Sequence, residues 1–347
     1  MKVSSHPSIL IIGALPDPLV SESVGGTTVL LKSLVDYLDR QKISYGFVKS
    51  NPYFGRGATI RNALSALGGI LREIRHHDYI LVNCSRNGAF YFAPLVFLIT
   101  RLAGKKIAFR AFGGDLREIM EEAPPLLRWL FERTVLRSDL VFVETKRLVR
   151  FLLENRNCTN VFWLPNSRSS CFLPTAERYR KRFVFISHVK RSKGILQILE
   201  ASAILGSDYT IDVYGPIMDA GLSEADFVGL PVQYKGALPV DQVRATLALY
   251  DFLLLPTFFA GEGYPGIIIE GYSLGVPCIT THWKSIPEIV DDGRCGLLIE
   301  PRSTAALVEA IRSIEEPLFQ KLREGAKAQF AEFEADEVNA RFLAAFR

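Results

Sequence analysis

Short apolar runs alternate with longer helix-like stretches along the whole sequence. The apolar runs are rich in β-branched and aromatic residues, and they predict strands at 8–15, 43–48, 78–84, 105–112, 139–144 and 160–165, then at 182–189, 209–215, 232–236, 251–257, 277–281 and 296–300. Because these runs lack regular polar alternation, we expect strands that are buried on both faces, as in parallel sheets covered by helices. The fold class predicted is therefore α/β, with Rossmann-like domains.

The domain organisation follows from one break in this alternation. The polar stretch NSRSSCFLPTAERYRK, 166–181, predicts a linker between a first domain, 1–165, and a second domain, 182–334. A chain of 347 residues also suits two domains better than one core. We expect the last amphipathic segment, 335–347, to pack back on the first domain. Helices are predicted at 26–40, 58–76, 88–103, 123–137 and 145–155, and then at 194–205, 239–249, 266–274, 303–315 and 317–332. Two such domains are expected to form a ligand cleft between the carboxyl ends of their sheets.

Charge and cysteine content narrow the class of protein. Residues 1–165 hold 22 Lys and Arg against 14 Asp and Glu, whereas residues 166–347 hold 19 against 23. A basic first half favours an anionic partner or surface, although a merely solvated surface is an equal alternative. The five scattered cysteines predict free thiols in a reducing compartment. No signal peptide is recognisable, and the longest apolar run, 89–100, is too short to span a bilayer, so a cytoplasmic protein is expected.

The stretch GEGYPGIIIEGYSLGVP, 261–277, carries the strongest functional signal. Pro265 suits the first turn of a helix and Gly275 suits its end, so residues 263–266 would offer backbone N–H groups to an anion at a positive helix terminus. Glu262 and Glu270 would repel a phosphate, but a carboxylate can accept hydrogen bonds from sugar hydroxyls. The dinucleotide fingerprint G-x-G-x-x-G does not follow the first predicted strand, which leaves weak support for a nicotinamide cofactor.

Residues 257–301 resemble the donor-site signature of glycosyltransferase family 4, a family of retaining, nucleotide-sugar-dependent enzymes with the GT-B fold. The resemblance lies in E-G-Y-P-G-x-x-x-E-G-x-x-x-G-x-P, the strand CITT, and S-I-P-E-I-V-x-D-G-x-x-G-L-L, in which Glu262 and Glu270 match the E-x7-E pair. Weaker matches are GGT (25–27), FGGD (112–115), LPNS (164–167) and SHVKRSKGI (187–195).

The resemblance implies roles for particular residues. Glu270 would bind the nucleotide ribose, Glu262 the donor sugar, and Lys193 the diphosphate. The catalytic set implied is Glu262, Lys193, His188 and Asp115. The donor-binding set implied is Gly25, Gly26, Thr27, Lys190, Arg191, Gly263, Tyr264, Pro265, Gly266, Glu270, Ala237 and Leu238. Glu288 falls on a family position to which the sequence assigns no role.

Two positions depart from the family pattern. His188 stands where the family has an arginine, and Lys190 or Arg191 could supply the missing charge. Phe112 stands where the family often has a histidine near the C6 hydroxyl of the sugar, which suggests a 6-deoxy sugar or a pentose. No D-x-D triplet and no His/Asp cluster with ligand spacing occurs in the chain, so a metal-independent reaction without a cofactor beyond the nucleotide-sugar co-substrate is expected.

Other interpretations stay open at this stage. Glu262 could be a solvated loop charge, Glu270 could pair with a buried arginine, Lys193 could simply start a helix, and Asp115 is as good a helix N-cap as an acceptor-site base. Basic residues near the apolar segment 88–100 suit an anionic membrane surface and a polyprenyl-diphosphate-linked or glycan acceptor, whereas a buried core helix is the alternative for that segment. No nucleic-acid partner is expected. The function expected is sugar transfer in cell-surface polysaccharide biosynthesis, including lipopolysaccharide, on the inner face of the cell membrane. A non-catalytic nucleotide-sugar-binding protein and a nucleotide-sugar 2-epimerase remain as alternatives.

Overall fold

The computed structural model describes residues 7–16, 26–51, 57–84 and 86–346, with the side chains of 86 and 87 excepted. The chain divides into two compact units, one formed by Met1–Asn166 with Ala335–Arg347 and the other by Ser167–Glu334. Within the described ranges, each unit is built on one six-stranded sheet whose strand pairs are all parallel. The predicted Rossmann-like α/β plan is therefore confirmed.

The first unit contains a sheet with the strand order β2-β1-β3-β4-β5-β6. Its strands are β1 (Ile9–Gly13), β2 (Tyr45–Lys49), β3 (Tyr79–Cys84), β4 (Lys106–Ala111), β5 (Leu140–Val143) and β6 (Val161–Trp163). Its helices are α1 (Gly26–Arg40), α2 (Ala58–Glu73), α3 (Arg86–Leu102), α4 (Leu116–Glu122), α5 (Pro125–Arg133), α6 (Lys146–Arg156) and, from the end of the chain, α12 (Ala335–Ala344). The strand order reverses between β1 and β3, which is the point where open α/β sheets leave a crevice at their carboxyl edge.

Apolar cores cover both faces of the first sheet. Helices α2, α3, α5 and α6 bury residues such as Ile70, Val96 and Phe131 against one face. On the other face the rings of Phe342 and Phe346, at the end of the chain, lie 4.8 and 5.9 Å from the ring of Phe142 in β5. The final segment is thus part of the core of the first unit.

The second unit contains a sheet with the order β12-β11-β10-β7-β8-β9. Its strands are β7 (Arg182–Ile186), β8 (Thr210–Tyr214), β9 (Val232–Tyr234), β10 (Phe252–Leu255), β11 (Cys278–Thr281) and β12 (Gly296–Ile299). Its helices are α7 (Ile195–Leu205), α8 (Val243–Leu247), α9 (Gly266–Leu274), α10 (Thr304–Arg312) and α11 (Glu316–Phe330). Counted from β7, this is the doubly wound Rossmann order, and its switch point lies between β7 and β10.

The sequence-based prediction of helices was wrong in three places. The helix α4 lay outside every predicted helix, and the helix predicted at 123–137 begins only at Pro125, because Pro124 and Pro125 suit a chain entry and a first helical turn. The helix predicted at 239–249 is a 3₁₀ turn, Val240–Gln242, followed by the short α8. None of the helices in the described ranges combines the length and the apolarity that a bilayer-spanning segment needs.

Candidate functional site

The loops that follow β7 and β10 meet at the switch point of the second sheet. After β7 the chain forms a 3₁₀ turn, Arg191–Lys193, and enters α7 through Gly194, whose φ is +85°. A Cβ atom at Gly194 would lie 2.3 Å from the carbonyl oxygen of Pro256, at the end of β10. Only glycine accepts both this left-handed backbone and this contact, so Gly194 brings the two loops together.

Lys193 and Glu262 form an ion pair between these two loops. The Lys193 Nζ atom donates to Glu262 Oε2 at 2.6 Å, and the two side chains are 14% and 8% exposed. The Thr257 hydroxyl lies 2.7 Å from the same carboxylate oxygen, and the ammonium group lies 4.9 Å from the centre of the Phe259 ring. We expected an anion beside Lys193, and the structure places the Glu262 carboxylate there. Glu262 is therefore not a solvated loop charge.

Residues beyond β11 and β12 hold the backbone of this loop in place. Trp283 Nε1 donates to the carbonyl oxygen of Phe259 at 2.8 Å, and Lys284 Nζ donates to the carbonyl oxygen of Ala260. The Arg302 guanidinium lies 4.7 Å from the centre of the Phe258 ring. A loop rich in glycine is thus preorganised by contacts from the neighbouring strands.

Tyr264 is an anchor of the loop. Its side chain is 2% exposed, its hydroxyl donates to Glu288 Oε2 at 2.8 Å, and its ring meets Phe333 edge-on. This contact gives Glu288 a physical role that the sequence did not, because it fixes the orientation of the residue before Pro265. Gly263 and Pro265 are buried on either side.

The helix α9 begins at Gly266, as predicted, and Arg168, from the segment predicted as a linker but placed within the second unit, lies against its first residue. A Cβ atom at Gly266 would lie 1.8 Å from Arg168 Nη2, so a side chain there would displace the guanidinium. Arg168 Nε donates to Glu270 Oε1 at 2.6 Å, and the two side chains are 10% and 17% exposed. The partner that a carboxylate inside an apolar helix requires is therefore Arg168. The sequence left a buried arginine open as this partner but could not identify it.

Three further predicted residues follow β7. His188 is exposed by more than a third, Lys190 is half-buried, and Arg191 is exposed with its backbone N–H donating to Asp219 Oδ2 at 2.5 Å. Partial burial lowers the pKa of His188, and the nearby Lys190 and Lys193 lower it further, which favours the neutral imidazole near pH 7. His188 therefore does not replace the positive charge of an arginine.

Ala237 and Leu238 lie beyond β9, the edge strand of the second sheet. Ala237 is exposed and Leu238 is half-buried, and neither belongs to a helix or a strand. The Gly236 carbonyl accepts from the backbone N–H of Gly215 at 2.8 Å, which ties the segment to the end of β8.

The first unit contains the remaining predicted residues. Gly25 lies outside the described residues, Gly26 and Thr27 are the first two residues of α1, and Gly26 is exposed. Asp115 occupies the N-cap position of α4 without a side-chain capping hydrogen bond. Its backbone carbonyl accepts from Ile119 at 2.9 Å.

Two buried charged residues, Glu144 and Arg110, were missed by the sequence analysis. Glu144 follows β5, is 7% exposed, and accepts from the backbone N–H of Gly113 at 3.0 Å. Arg110 in β4 is 4% exposed and lies 4.7 Å from the centre of the Phe112 ring, and burial lowers its pKa to about 10 while the Glu144 charge opposes that shift. An arginine within the apolar run KIAFRAF is the signal that could have indicated this pair.

A cavity of about 320 Å³ lies at the switch point of the first sheet. It mixes apolar and polar lining residues, among them Ser50, Thr59, Asn62, Asn83, Cys84 and Phe92. The Asn83 Oδ1 atom is buried without a hydrogen-bond partner in the part of the chain that the structure describes. A buried polar atom of this kind suits a ligand that can donate a hydrogen bond.

The chemistry available in the second unit is anion and hydroxyl binding. Cations and helix amino ends stand beside two partly buried carboxylates, an arrangement suited to a ligand that carries both phosphates and sugar hydroxyls. In the ranges that the structure describes, no group of three or more His, Cys, Asp or Glu side chains could hold a metal ion.

Comparisons with known proteins find similarity in sequence and in fold. Residues 180–316 match the family model "Glycosyl transferases group 1". The chain is 31% identical over 173 residues to TuaC of Bacillus subtilis (strain 168), which is named as a teichuronic acid biosynthesis glycosyltransferase, over 45% of this chain and 42% of that protein. It is 22% identical over 205 residues to O-antigen chain mannosyltransferase B of Escherichia coli, over 54% of this chain and 51% of that protein. The chain thus matches about half the length of these curated relatives.

Solved structures share the complete fold at low sequence identity. Sucrose-phosphate synthase from Thermosynechococcus elongatus superposes with a TM-score of 0.75 at 13% identity, over 97% of both chains. Anabaena Alr3699/HepE in complex with UDP-glucose superposes with a TM-score of 0.71 at 14% identity, over 98% of both chains. The fold is therefore GT-B, as predicted, and the match to the group 1 glycosyltransferase model lies in the second unit.

Proposed function

We propose that this protein is a retaining glycosyltransferase of family 4, which moves a sugar from a nucleotide-diphosphate donor to a glycan or lipid-linked acceptor in cell-surface polysaccharide biosynthesis. The relatives named for teichuronic acid and O-antigen synthesis support the process. The UDP-glucose complex of a structural neighbour supports the class of donor.

The observation that carries the proposal is the Lys193–Glu262 pair at the switch point of the second sheet. The two side chains meet at 2.6 Å and are 14% and 8% exposed. They bring together a cation and a carboxylate that can accept hydrogen bonds from hydroxyl groups, at the point where open α/β sheets bind ligands. In the proposal Lys193 binds the diphosphate, Glu262 binds the donor sugar, and Glu270 binds the ribose. The backbone at 263–266 meets the phosphates at the amino end of α9.

The proposed chemistry requires charge stabilisation more than proton transfer. As the glycosidic bond breaks, negative charge grows on the leaving diphosphate, and fixed cations and N–H groups stabilise it most when they need no rearrangement. The contacts of Trp283, Lys284 and Arg302 with the 258–260 segment supply that rigidity. Asp115 and His188 remain candidate catalytic residues in this proposal, and no divalent metal is required.

The first experiment is a thermal-shift panel with UDP, GDP, ADP and dTDP. A ligand at 100 times its Kd stabilises a protein by about 2.7 kcal/mol, so a nucleotide that binds the folded chain stands out clearly. If none of the four raises the Tm of the wild-type chain, the proposal is wrong.

A second experiment separates transfer from the alternatives. The nucleotide sugar with the preferred base is incubated without acceptor, and the products are resolved by chromatography. Slow release of free sugar and nucleoside diphosphate supports a transferase, an epimerised nucleotide sugar supports a 2-epimerase, and an unchanged donor that still binds supports a non-catalytic protein.

The acceptor is assigned to the first unit within the same proposal. The cavity of about 320 Å³ between α2 and α3 offers Asn83 Oδ1 to a hydroxyl donor and the Phe92 side chain to an apolar or sugar-ring face. Asn83→Ala is expected to raise the KM for acceptor while the Kd for the nucleotide stays unchanged. An equal loss of nucleotide binding would contradict this assignment.

A membrane contact through α2 and α3 also belongs to the proposal. Tyr91, Leu95, Leu98 and Leu102 follow one face of α3 and are 67%, 42%, 48% and 89% exposed. On α2, Ile60, Leu64 and Leu71 are 70%, 65% and 60% exposed. The opposite face of α3 is buried, with Phe90 and Phe97 in the core, so the buried-helix interpretation of segment 88–100 holds for that face and the membrane contact is proposed for the exposed one. The exposed Arg61, Arg72, Arg75 and Arg101 on or beside these helices are complementary to anionic lipid.

Vesicle flotation tests this contact. The wild-type chain is expected to float with vesicles that contain phosphatidylglycerol more than with pure phosphatidylcholine, and Leu98→Glu is expected to reduce this. Val228→Glu, at an 81% exposed position of the second unit, is the matched control and is expected to float like the wild type. Equal recovery of both variants with anionic vesicles would contradict the assignment.

A further inference from the structure

Arg168 is held rigidly at the amino end of α9 by contacts on both sides. Its backbone N–H donates to the Phe333 carbonyl oxygen at 3.0 Å, and the residue forms a bridge with Glu334. Its Nη1 atom donates to the Ser167 carbonyl oxygen at 2.8 Å. The guanidinium therefore has a fixed position before any ligand binds.

This position is electrostatically unusual for a cation. Nη2 lies where a side chain of Gly266 would stand, and Gly266 is the first residue of α9. The amino end of a helix carries a partial positive charge and N–H groups without intrahelical acceptors, so a cation there is disfavoured. Glu270 supplies one negative charge beside the guanidinium and the helix end. A phosphate at this end would be attracted by both the guanidinium and the helix end.

We infer that Arg168 is a donor-binding residue, which binds the ribose-linked phosphate of a nucleoside diphosphate at the amino end of α9. This inference rests on the proposed function. Glu270 stands about one turn into the helix from Gly266, and Arg168 contacts both. If Glu270 binds the ribose and the amino end of α9 binds the diphosphate, Arg168 lies next to the phosphate that is linked to the ribose. A planar guanidinium fits phosphate oxygens with two parallel N–H donors.

Arg168 is placed differently from the charged and titratable residues after β7. Lys193 is paired with Glu262 on the loop after β10. His188 is kept neutral near pH 7 by the lowered pKa of its imidazole. Arg168 thus adds a permanent charge at the first residue of α9 to those of Lys190, Arg191 and Lys193 after β7.

The test compares ligands that differ only in their phosphates. The best binder among UDP, GDP, ADP and dTDP and its parent nucleoside are titrated calorimetrically into the wild type, Arg168→Ala and Arg168→Lys. In Arg168→Ala we expect the Kd of the diphosphate to rise about 10- to 100-fold, because a hydrogen bond to a charged group is lost, while the Kd of the nucleoside changes less than about threefold. The Kd of the diphosphate for Arg168→Lys is expected to lie between those of the wild type and Arg168→Ala, because lysine keeps the charge but lacks the two parallel N–H donors of the guanidinium.

Arg180→Ala is the matched control. Arg180 also precedes β7 and donates to a buried carboxylate, with Nε 3.0 Å from Asp251 Oδ1, but Asp251 precedes β10 and so lies at the opposite edge of the sheet from α9. Its loss is expected to lower stability and to leave both Kd values unchanged.

Removal of Arg168 also leaves Glu270 without its ion-pair partner, so a second pair of variants isolates the phosphate contact. Glu270→Gln and the double variant Arg168→Ala/Glu270→Gln are compared after circular dichroism confirms folding. The diphosphate Kd is expected to rise further in the double variant than in Glu270→Gln.

Three results would overturn the inference. These are equal loss of nucleoside and diphosphate binding in Arg168→Ala, no loss of either, or no difference between Glu270→Gln and the double variant. Each would show that Arg168 only positions Glu270 or does not act in binding, while the proposed function would survive because the wild type still binds nucleotide. A wild-type chain that binds none of the nucleotides would overturn the proposed function as well.

Discussion

Replacement of Gly266 by alanine tests the packing of Arg168 against the first residue of α9. The added Cβ atom would lie 1.8 Å from Arg168 Nη2, so the guanidinium must move and its 2.6 Å contact with Glu270 must lengthen or break. Breaking a buried ion pair costs about 3–5 kcal/mol, and the lower end applies because these side chains are 10% and 17% exposed. Alanine in place of glycine returns at most about 1 kcal/mol through backbone entropy. We therefore expect Gly266→Ala to lower the free energy of unfolding by about 2 kcal/mol.

The assay is urea denaturation followed by far-UV circular dichroism, with a control and a double-mutant cycle. Gly68→Ala is the matched control, because Gly68 lies inside α2 and a Cβ atom added there would meet nothing within 4 Å, so this change is expected to stabilise the chain by about 0.5–1 kcal/mol. In an Arg168→Ala background, Gly266→Ala should no longer lower the free energy of unfolding and should change it as Gly68→Ala does. The effects of the two changes are then coupled. If Gly266→Ala is as stable as the wild type, or if the two changes are additive, the contact between Arg168 and α9 does not exist as described.

Four further predictions concern activity, pH and the buried charge at the opposite edge of the sheet. Lys193→Ala is expected to lower kcat by about 10²–10³-fold in a coupled assay of nucleotide release, and an unchanged kcat would refute its role. Sugar transfer is expected to survive EDTA, and activity that is lost with chelator and restored by Mn²⁺ would show a metal requirement. The pKa of His188 is lowered in the folded state, so the unfolded chain binds a proton first as pH falls, and stability is lost below the ordinary value of 6.5. His188→Asn should therefore show a smaller loss of Tm between pH 7 and pH 5 than the wild type. Equal losses of Tm would contradict this. Asp251 is 1% exposed and accepts hydrogen bonds from the backbone N–H groups of Arg180 and Arg182 at 2.7 and 3.0 Å. Asp251→Ala is therefore expected to lower the free energy of unfolding, measured by urea denaturation, by about 3–5 kcal/mol. A loss below about 1 kcal/mol would be inconsistent with these hydrogen bonds.

The strands were predictable because a short apolar run of neighbouring residues is enough to indicate a buried strand. An unbroken apolar run such as Phe252–Leu255 requires cover on both faces, and that requirement alone indicates a parallel sheet. The ends of the strands were less predictable. The run at 182–189 is a strand only to Ile186, and beyond it the pairing is reduced to single contacts, the Ser187 N–H with Tyr214 O at 3.2 Å and a bridge between Val189 and Ile217. The apolar pattern does not mark where backbone pairing stops.

The candidate site was predictable where its residues are neighbours in the chain. Glu262, Pro265, Gly266 and Glu270 lie within one loop and helix, so their spacing could be recognised directly. The partners of these residues were not predictable in the same way. Arg168 is far from Glu270 in the chain, and the Glu288 partner of Tyr264 lies on the other side of β11, so only folding brings each pair together.

The sequence by itself determined the two α/β units, the position of the loop after β10 and the carboxylates that it carries, because hydrophobic periodicity and helix-terminal residues act over a few neighbouring positions. The tertiary structure alone decided which charges are paired. Lys193 meets Glu262 because β7 and β10 are adjacent at the switch point, and Arg168 reaches α9 because Phe333 and Glu334 hold its backbone there. Ion pairing depends on distances between distant parts of the chain, and the order of strands in a sheet sets those distances.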